Sequence, residues 1–437
     1  MRLRSAGFRT LFAGGCVRDL LMGYQPGDYD IATAAHPEEV RTLFRKTLPM
    51  GIRFGVVIVS WKGYQFEVAS FRSDGDYSDG RHPDAVRFAD EFADCRRRDF
   101  TINGMYMDPA SGEIIDHVGG RDDLAAGLIR TIGEPARRFQ EDHLRLLRAI
   151  RFAARFDFSL EPATEAAVMR LAPHIRDISA ERSRDELLKI LTGPRPDKAL
   201  LLMQQTGLLA ALLPEVAALD GLEQPARFHP EGDVFTHTRI MLSLLPEHPA
   251  PELALAALLH DIGKPATAGY TDRIHFHGHD KAGAEIAEAV CRRFRLPNTV
   301  TERVVYLVAN HMRFVDIRKM KLSTLKRFLA QPDFPLLLEL HRLDRLSGNG
   351  ALDDWEYAAQ VRERLSEEEL RPVPLVSGHD LLALGVAPGP ELGKLLEVIR
   401  EKQLNGEMEG REEALAYVKQ ALTGMEAEDA ESPPEDT

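Results

Sequence analysis

The period of the apolar positions changes along the chain. Residues 1 to about 133 carry short alternating runs divided by glycine-rich turns. Val56 to Trp61 and Gln65 to Phe71 predict two strands joined at Lys62-Gly63. From Glu141 to Leu191 the spacing becomes helical, with Leu144, Leu147, Ile150 and Phe152 as the apolar stripe. Gly193, Pro194 and Pro196 punctuate the next boundary, and a further helical stretch ends near Leu213-Pro214. A histidine-rich helical stretch runs from His229 to about Asp344. Short helices broken by Pro372, Pro374, Pro388 and Pro390 occupy Pro372 to Leu422. No repeat of solenoid period is present. The pattern predicts an α+β chain: an α/β head over 1–133, an all-α neck and body over 134–225, a second all-α unit over 226–370, a helical segment over 371–423 and a tail over 424–437.

Length agrees with several units, because 437 residues exceed one core and domains usually span about 100–200. The net charge of −13 argues against a nucleic-acid partner until its distribution is considered. The tail from Glu426 to Asp436 holds six acidic residues and no basic one, so it supplies −6 of the total, and its composition predicts disorder. The stretch Glu134 to Lys198 is slightly basic, with Arg137, Arg138, Arg145, Arg148, Arg151 and Arg155 clustered. Such a cluster is either a solvated helix face or a wall for an RNA end. No run of about 18 apolar residues predicts a membrane span. Met1 to Thr10 lack the apolar core of a signal peptide. Cys16, Cys95 and Cys291 are few, odd in number and distant, which predicts free thiols in a reducing cytoplasm. The sequence carries no signal for oligomeric state.

The head holds the first chemistry. Leu11 to Leu20 reads as a strand, a Gly14-Gly15 turn and a helix start. Glycines let backbone N–H groups approach a phosphate, the helix N-terminus adds partial positive charge, and Arg18 offers a forked donor. Asp28 and Asp30 stand two apart, so on a strand they point to one face. Paired carboxylates repel unless a cation separates them, and Mg²⁺ takes oxygen ligands together with substrate phosphates. Ions held there would activate an attacking hydroxyl and steady a leaving pyrophosphate. Glu67, between Phe66 and Val68, is a candidate third carboxylate; a strand-surface glutamate explains it as well. Farther on, Arg97 and Arg98 offer charge to a triphosphate, and Asp99 and Asn103 can hydrogen-bond a sugar hydroxyl.

Four strings in order resemble the class II tRNA nucleotidyltransferases, the family that also contains bacterial poly(A) polymerases. They are Gly14-Gly15-x-Val17-Arg18-Asp19 with Asp28-x-Asp30, Arg97-Arg98-Asp99-Phe100-Thr101-Ile102-Asn103, Asp116-His117-Val118-Gly119-Gly120 with Asp123-Leu124, and Glu141-Asp142-His143-Leu144-Arg145. Glu181-Arg182 and Glu186 resemble the helix that follows. The resemblance implies a polymerase-beta-like nucleotidyltransferase head that adds CCA to the tRNA 3′ end from CTP and ATP with Mg²⁺. An A-only or poly(A) enzyme is the alternative. Asp142 and Arg145, three apart on a predicted helix, share a face. An aspartate accepts from the exocyclic amine of C or A, and an arginine donates to a ring acceptor, so side chains can replace a template. Arg148 and Arg151 extend the positive surface. The polar stretch Arg72 to Pro83 resembles the family's flexible loop, which is implicated in the switch to A addition.

A second constellation lies in the histidine-rich stretch: His237, His260, Asp261, His279, His311 and Asp344. Adjacent His and Asp at a helix end, with distant histidines, suit a divalent transition metal. The order resembles the HD phosphohydrolase superfamily, and His229-Pro230-Glu231, His237-Thr238 and Gly278-His279 resemble the HD domain attached to some bacterial CCA-adding enzymes. It implies phosphatase or phosphodiesterase chemistry; a different class of function is an HD phosphohydrolase whose head merely binds nucleotide. His275 and His277 compete with His279 as the ligand.

Overall fold

The computed structural model describes residues 1–48, 54–75, 85–225, 227 and 229–431, the last eight as backbone alone. The chain divides into two compact units, Met1–Val305 and Tyr306–Thr437.

The first unit opens with α1 (Arg2–Ser5), β1 (Thr10–Ala13), α2 (Gly15–Leu21), β2 (Ile31–Thr33), α3 (Pro37–Leu43), β3 (Thr47–Leu48), β4 (Val56–Trp61) and β5 (Tyr64–Ser70). It continues with β6 (Arg72–Asp74), β7 (Val86–Phe88), α4 (Glu91–Arg96), β8 (Tyr106–Met107), β9 (Ile114–Ile115) and α5 (Gly120–Ala126). Seven strands form one mixed sheet in the order β3-β4-β5-β2-β1-β8-β9. The β2–β5 pair is parallel and the others are antiparallel. The predicted hairpin is the β4–β5 pair. Lys62 and Gly63 turn it with φ of 50° and 86°, the positive values that a two-residue hairpin turn requires. Alternation does the sorting. Val57, Val59 and Val68 pack on Leu3, Ala35 and Val40 on one side of the sheet, and Leu11, Ala13, Ala32, Phe71, Cys95 and Tyr106 form a second cluster. The parallel register sets Ile31 against Val68, so Asp30 and Glu67 each precede a paired residue on neighbouring strands.

A helical neck and body follow. Here β10 (Leu128–Ile129) pairs in parallel with β11 (Ser159–Leu160). The helices are α6 (Pro135–Glu141), α7 (Leu144–Phe156), α8 (Pro162–Leu171), α9 (Ala180–Leu191), α10 (Pro196–Gln205), α11 (Leu208–Leu212) and α12 (Pro214–Ala217). The apolar stripe of α7 is buried at Leu147, Ile150 and Phe152, packed towards α9 and α10. One expectation fails: Asp142 and Arg145 do not share one helix. Asp142 takes extended angles (φ −155°, ψ 105°) between α6 and α7. Its carboxylate accepts the Leu144 backbone N–H at 3.1 Å, which competes with continuing the helix through it.

The histidine-rich stretch contributes α13 (Val234–Ser243), α14 (Pro251–Leu259), α15 (Lys264–Thr267), a small ribbon of β12 (Gly269–Tyr270) with β13 (Ile274–His275), α16 (His279–Arg293) and α17 (Asn298–Asn310). In the second unit are α18 (Leu322–Leu329), α19 (Phe334–Ser347), α20 (Asp353–Arg364), α21 (Glu367–Leu370), α22 (Gly378–Ala383), α23 (Pro390–Asn405) and α24 (Arg411–Glu431). Its aromatic core stacks Phe314 on His341 at 4.1 Å, and a second cluster joins Val376, Leu381, Ile399, Met408 and Val418. The tail also departs from expectation, because α24 runs on to Glu431. Met425, Ala427, Glu428 and Ala430 are good helix formers that continue a helix already nucleated; positions 432–437 lie outside the described residues. No helix among the described residues is long and apolar enough to cross a membrane, and the three cysteines are free and buried.

Candidate sites in the head and the histidine-rich region

The first site grows from the β1–α2 turn. Gly14 sits at φ 70°, and a Cβ there would meet Arg98 Nη1 at 2.9 Å, so only glycine lets this guanidinium approach the turn. Its N–H donates to the Met105 carbonyl at 3.0 Å. Arg18, buried on α2, donates to Asn103 Oδ1 and forks onto Asp19 Oδ1 at 2.8 and 2.6 Å, stacked over Phe156 at 4.6 Å.

Beside this turn a cavity of about 180 Å³ is lined by Asp30, Glu67, Arg72, Arg97 and Arg98 with small residues of the sheet. Burial, then the charges of Glu67 and Asp28, push the Asp30 carboxyl up to about 6. Asp28 itself is exposed. The three carboxylates do not gather three donor atoms within 4.8 Å of one another; what joins them is the electrostatic strain on Asp30. That strain, with oxygen-only donors, fits a hard divalent cation. Arg98 is held by Asp94 at 3.2 Å and lies over Tyr106 at 5.2 Å. Arg97 donates to the other oxygen of Asp94 at 2.8 Å. Against burial, both arginines and the Tyr106 hydroxyl lower the Asp94 carboxyl. Asp94 and Tyr106 stand outside the four motif strings, and only the fold brings them here.

Asp99 links the head to α7. Its Oδ1 accepts from the Phe100 N–H at 2.8 Å and Asn103 Nδ2 at 3.1 Å; its Oδ2 accepts from Arg148 Nε at 2.8 Å and Nη2 at 2.5 Å. Burial alone would raise this carboxyl, yet Arg148 and the hydrogen bonds hold it down at about 2.

The basic cluster is neither bare nor simply solvated, because each arginine has a carboxylate. Arg137, Arg138 and Arg145 pair with Glu141 at 3.8, 2.5 and 2.7 Å. Arg148 pairs with Asp99, Arg151 with Glu186 at 2.5 Å, and Arg155 with Asp19 at 3.7 Å. Asp142 is clamped from α9 by Arg182 at 2.7 Å. Asp142 and Arg145 thus stand at the same end of α7, each held by its own counter-ion. A larger cavity of about 680 Å³ is lined by Arg96, Arg97, His117, Arg137, Arg138 and Glu141 among others. Arg97 belongs to both cavities, and neither Asp142 nor Arg145 lines either. Gly120 lies where a Cβ would come within 2.3 Å of the Thr101 carbonyl, so close packing demands glycine in that motif. Of the flexible loop expected over Arg72 to Pro83, Arg72–Asp74 instead form β6, paired with β7, and positions 76–83 lie outside the described residues.

The second site is built by α13 to α16. His237, His260 and Asp261 bring donor atoms within 4.8 Å of one another, and all three are buried. Asp261 Oδ2 meets His260 Nε2 at 3.1 Å and Lys264 Nζ at 2.7 Å; its Oδ1 faces His279 Nε2 at 3.5 Å. Against complete burial, His260 and Lys264 hold the Asp261 carboxyl well below its usual range. His279 is the histidine brought to this centre, whereas the His275 and His277 rings lie against each other, tilted by 30° with centroids 4.5 Å apart. His229, Glu231 and His237 form a second set within 4.8 Å; the string His229-Pro230-Glu231 stands out in the sequence, but it assigns Glu231 no role. His311 and Asp344 belong to the second unit, where the His311 ring is held by the Val308 carbonyl at 2.7 Å.

A glycine turn beneath arginines, Glu67 on a mixed sheet with Asp28 and Asp30 just before β2 rather than on a strand as expected, and helices behind them define a nucleotidyltransferase, with an HD-type histidine cluster in the same chain. Residues 10–130 match the poly A polymerase head domain, 157–219 the probable RNA and SrmB-binding site of polymerase A, and 234–349 the HD domain. The CCA-adding enzyme of Lactobacillus johnsonii is 32% identical over 428 residues, spanning 94% of this chain and 93% of its own. The chain belongs to the family of CCA-adding enzymes. That of Geobacillus stearothermophilus is 46% identical over 212 residues, about half of either chain at 48% and 52%. The crystal structure of the Bacillus stearothermophilus CCA-adding enzyme in complex with CTP is similar at a TM-score of 0.72 and 29% identity, over 98% of this chain and 96% of that one.

Proposed function

We propose that this chain extends the 3′ end of tRNA with C, C and A, using CTP and ATP and no nucleic-acid template. The observation that supports this most is the Asp99–Arg148 ion pair. Asp99 follows the Arg98 that lines the carboxylate cavity, and Arg148 lies three residues beyond Arg145 on α7, so one ion-paired frame carries both the reacting end and the base-reading end. Asp28, Asp30 and Glu67 hold Mg²⁺. When bound, the ion favours the ionised 3′ hydroxyl and steadies the leaving pyrophosphate. Gly14, Gly15, Arg18, Arg97 and Arg98 receive the triphosphate, and Asp99 and Asn103 hydrogen-bond the ribose. Asp142 accepts from the exocyclic amine of C or A, and Arg145 donates to the adjoining ring acceptor. G and U present a carbonyl and an N–H there and are disfavoured. Arg148 and Arg151 steady the phosphates.

With tRNA ending before CCA, the protein adds two residues from CTP alone, three from CTP with ATP, and none from ATP alone. Growth from ATP alone would favour the A-only or poly(A) reading. The buried free thiols suit a reducing compartment, and we place the enzyme in the cytoplasm.

The histidine cluster supports a second activity, hydrolysis of phosphate esters with a divalent transition metal. His237, His260, Asp261 and His279 are its ligands in the first unit, and His311 and Asp344 follow in superfamily order. Lys264 offers a cation to the ester phosphate. Replacing His260 and Asp261 by alanine abolishes phosphate release.

A further inference from the structure

His237 differs from the neighbouring histidines in how its ring is held. His260 follows the last residue of α14, and its Nδ1 lies 3.0 Å from the Ala257 carbonyl. His279 opens α16, and its Nδ1 lies 2.8 Å from the Phe276 carbonyl. Both use a carbonyl three residues earlier: Ala257 is in the last turn of α14, whose carbonyls lack an intrahelical donor, and Phe276 lies outside α16. His237 sits inside α13, where the backbone carbonyls around it are engaged: its own N–H takes Asp233 O at 3.0 Å, and the Thr238 hydroxyl takes Val234 O at 2.9 Å. Its Nδ1 turns instead to a partner outside the helix. That partner is Glu231 Oε1 at 2.6 Å, an oxygen that also meets His229 Nδ1 at 2.9 Å. The Glu231 side chain is 6% exposed and His237 is fully buried, so the contact is nearly dry.

We propose that Glu231, held by His229, is the positioning residue that fixes His237 as a metal ligand of the HD centre; this rests on the hydrolytic reading above. A carboxylate accepting Nδ1–H forces the proton onto that nitrogen, leaving Nε2 with the lone pair that a metal requires. The charge also raises the basicity of the ring. The His229-Pro230-Glu231 segment thus does for the histidine within α13 what backbone carbonyls do for His260 and His279. A second ion held directly by His229, Glu231 and His237 is the rival use of the same atoms. It would require both nitrogens of His237 to bind metal at once if both ions were present.

The test uses full-length protein with ¹⁵N-labelled histidine and Mn²⁺ as the probe, with the head's share of binding defined by Asp30→Ala. In metal-free protein, His237 is expected as the Nδ1–H tautomer in wild type and in Glu231→Gln, whose side-chain carbonyl still accepts. In Glu231→Ala that tautomer is lost. Mn²⁺ affinity falls about ten- to a hundred-fold in Glu231→Ala and less in Glu231→Gln, with the number of bound ions unchanged. Nucleotide addition stays at the wild-type rate in both variants, reporting intact folding. An unchanged tautomer in Glu231→Ala would overturn the positioning role, as would loss of one whole equivalent of Mn²⁺, which would make Glu231 a ligand itself. Wild-type Mn²⁺ binding that disappears entirely in Asp30→Ala would instead overturn the metal reading of the histidine cluster.

Discussion

Asp30 is the residue at which charge, burial and chemistry meet most directly. Its carboxyl, raised from 3.8 to about 6, keeps its proton more tightly in the folded chain than in the unfolded one. The metal-free protein therefore loses stability as pH rises from about 4 to 6, and a cation that needs the ionised form binds better above that window. Added Mg²⁺ should raise the melting temperature at pH 7.5 and leave it nearly unchanged at pH 5. Equal shifts at both pH values would exclude Asp30 from the ion. The Asp28-x-Asp30 pair was legible in the sequence because both residues lie within one short string. Their counter-charges were not. Asp142 finds Arg182 and Asp99 finds Arg148 across 40 and 49 residues, and no local pattern encodes pairs at that range. Glu231 stands in a legible string, His229-Pro230-Glu231, but its role is not legible, because that depends on a ring that only the fold brings to it.

Elements were read best where one period governs them. The β4–β5 hairpin followed from alternation around Lys62-Gly63, and α7 from its apolar stripe. Reading failed where a side chain competes with the backbone. Asp142 breaks the expected helix by taking a backbone N–H, a choice that spacing alone does not reveal. At the β1–α2 turn two costs coincide at Gly14, a left-handed backbone angle and the nearness of Arg98. Gly14→Ala should lower stability by more than about 1–2 kcal/mol, the cost of the left-handed α region, because φ 70° with ψ −124° lies outside even that region. It should also lower kcat/KM for nucleotide addition more than ten-fold, because Arg98 must move. Urea unfolding and steady-state kinetics measure the two effects; a stability loss with wild-type kcat/KM would mean that the Arg98 position does not matter.

At the scale of the whole molecule, two chemistries fall to separate side-chain sets. The carboxylates of the head and the histidine cluster share no residue, so their losses should be separable. Asp30→Ala should abolish nucleotide addition and spare phosphate release, while His260→Ala with Asp261→Ala should do the reverse. Assaying both reactions in both variants checks this, and parallel loss of the two activities in either would contradict it. The acidic total also misled less than it threatened to. Within the basic cluster of the neck, Arg138, Arg145, Arg148 and Arg151 are held by Glu141, Asp99 and Glu186 before any RNA arrives, whereas the exposed Arg137 and Arg155 are only loosely paired.

The central claim is that side chains at the start of α7 stand in for a template. Single-turnover incorporation of CTP against UTP, measured for wild type and Asp142→Ala on tRNA ending before CCA, tests it most directly. The account predicts that wild type prefers CTP strongly and that the substitution reduces the preference about a hundred-fold or more, as when a hydrogen-bonding site loses its partner. The same CTP:UTP ratio in both proteins, with only the overall rate changed, would contradict it.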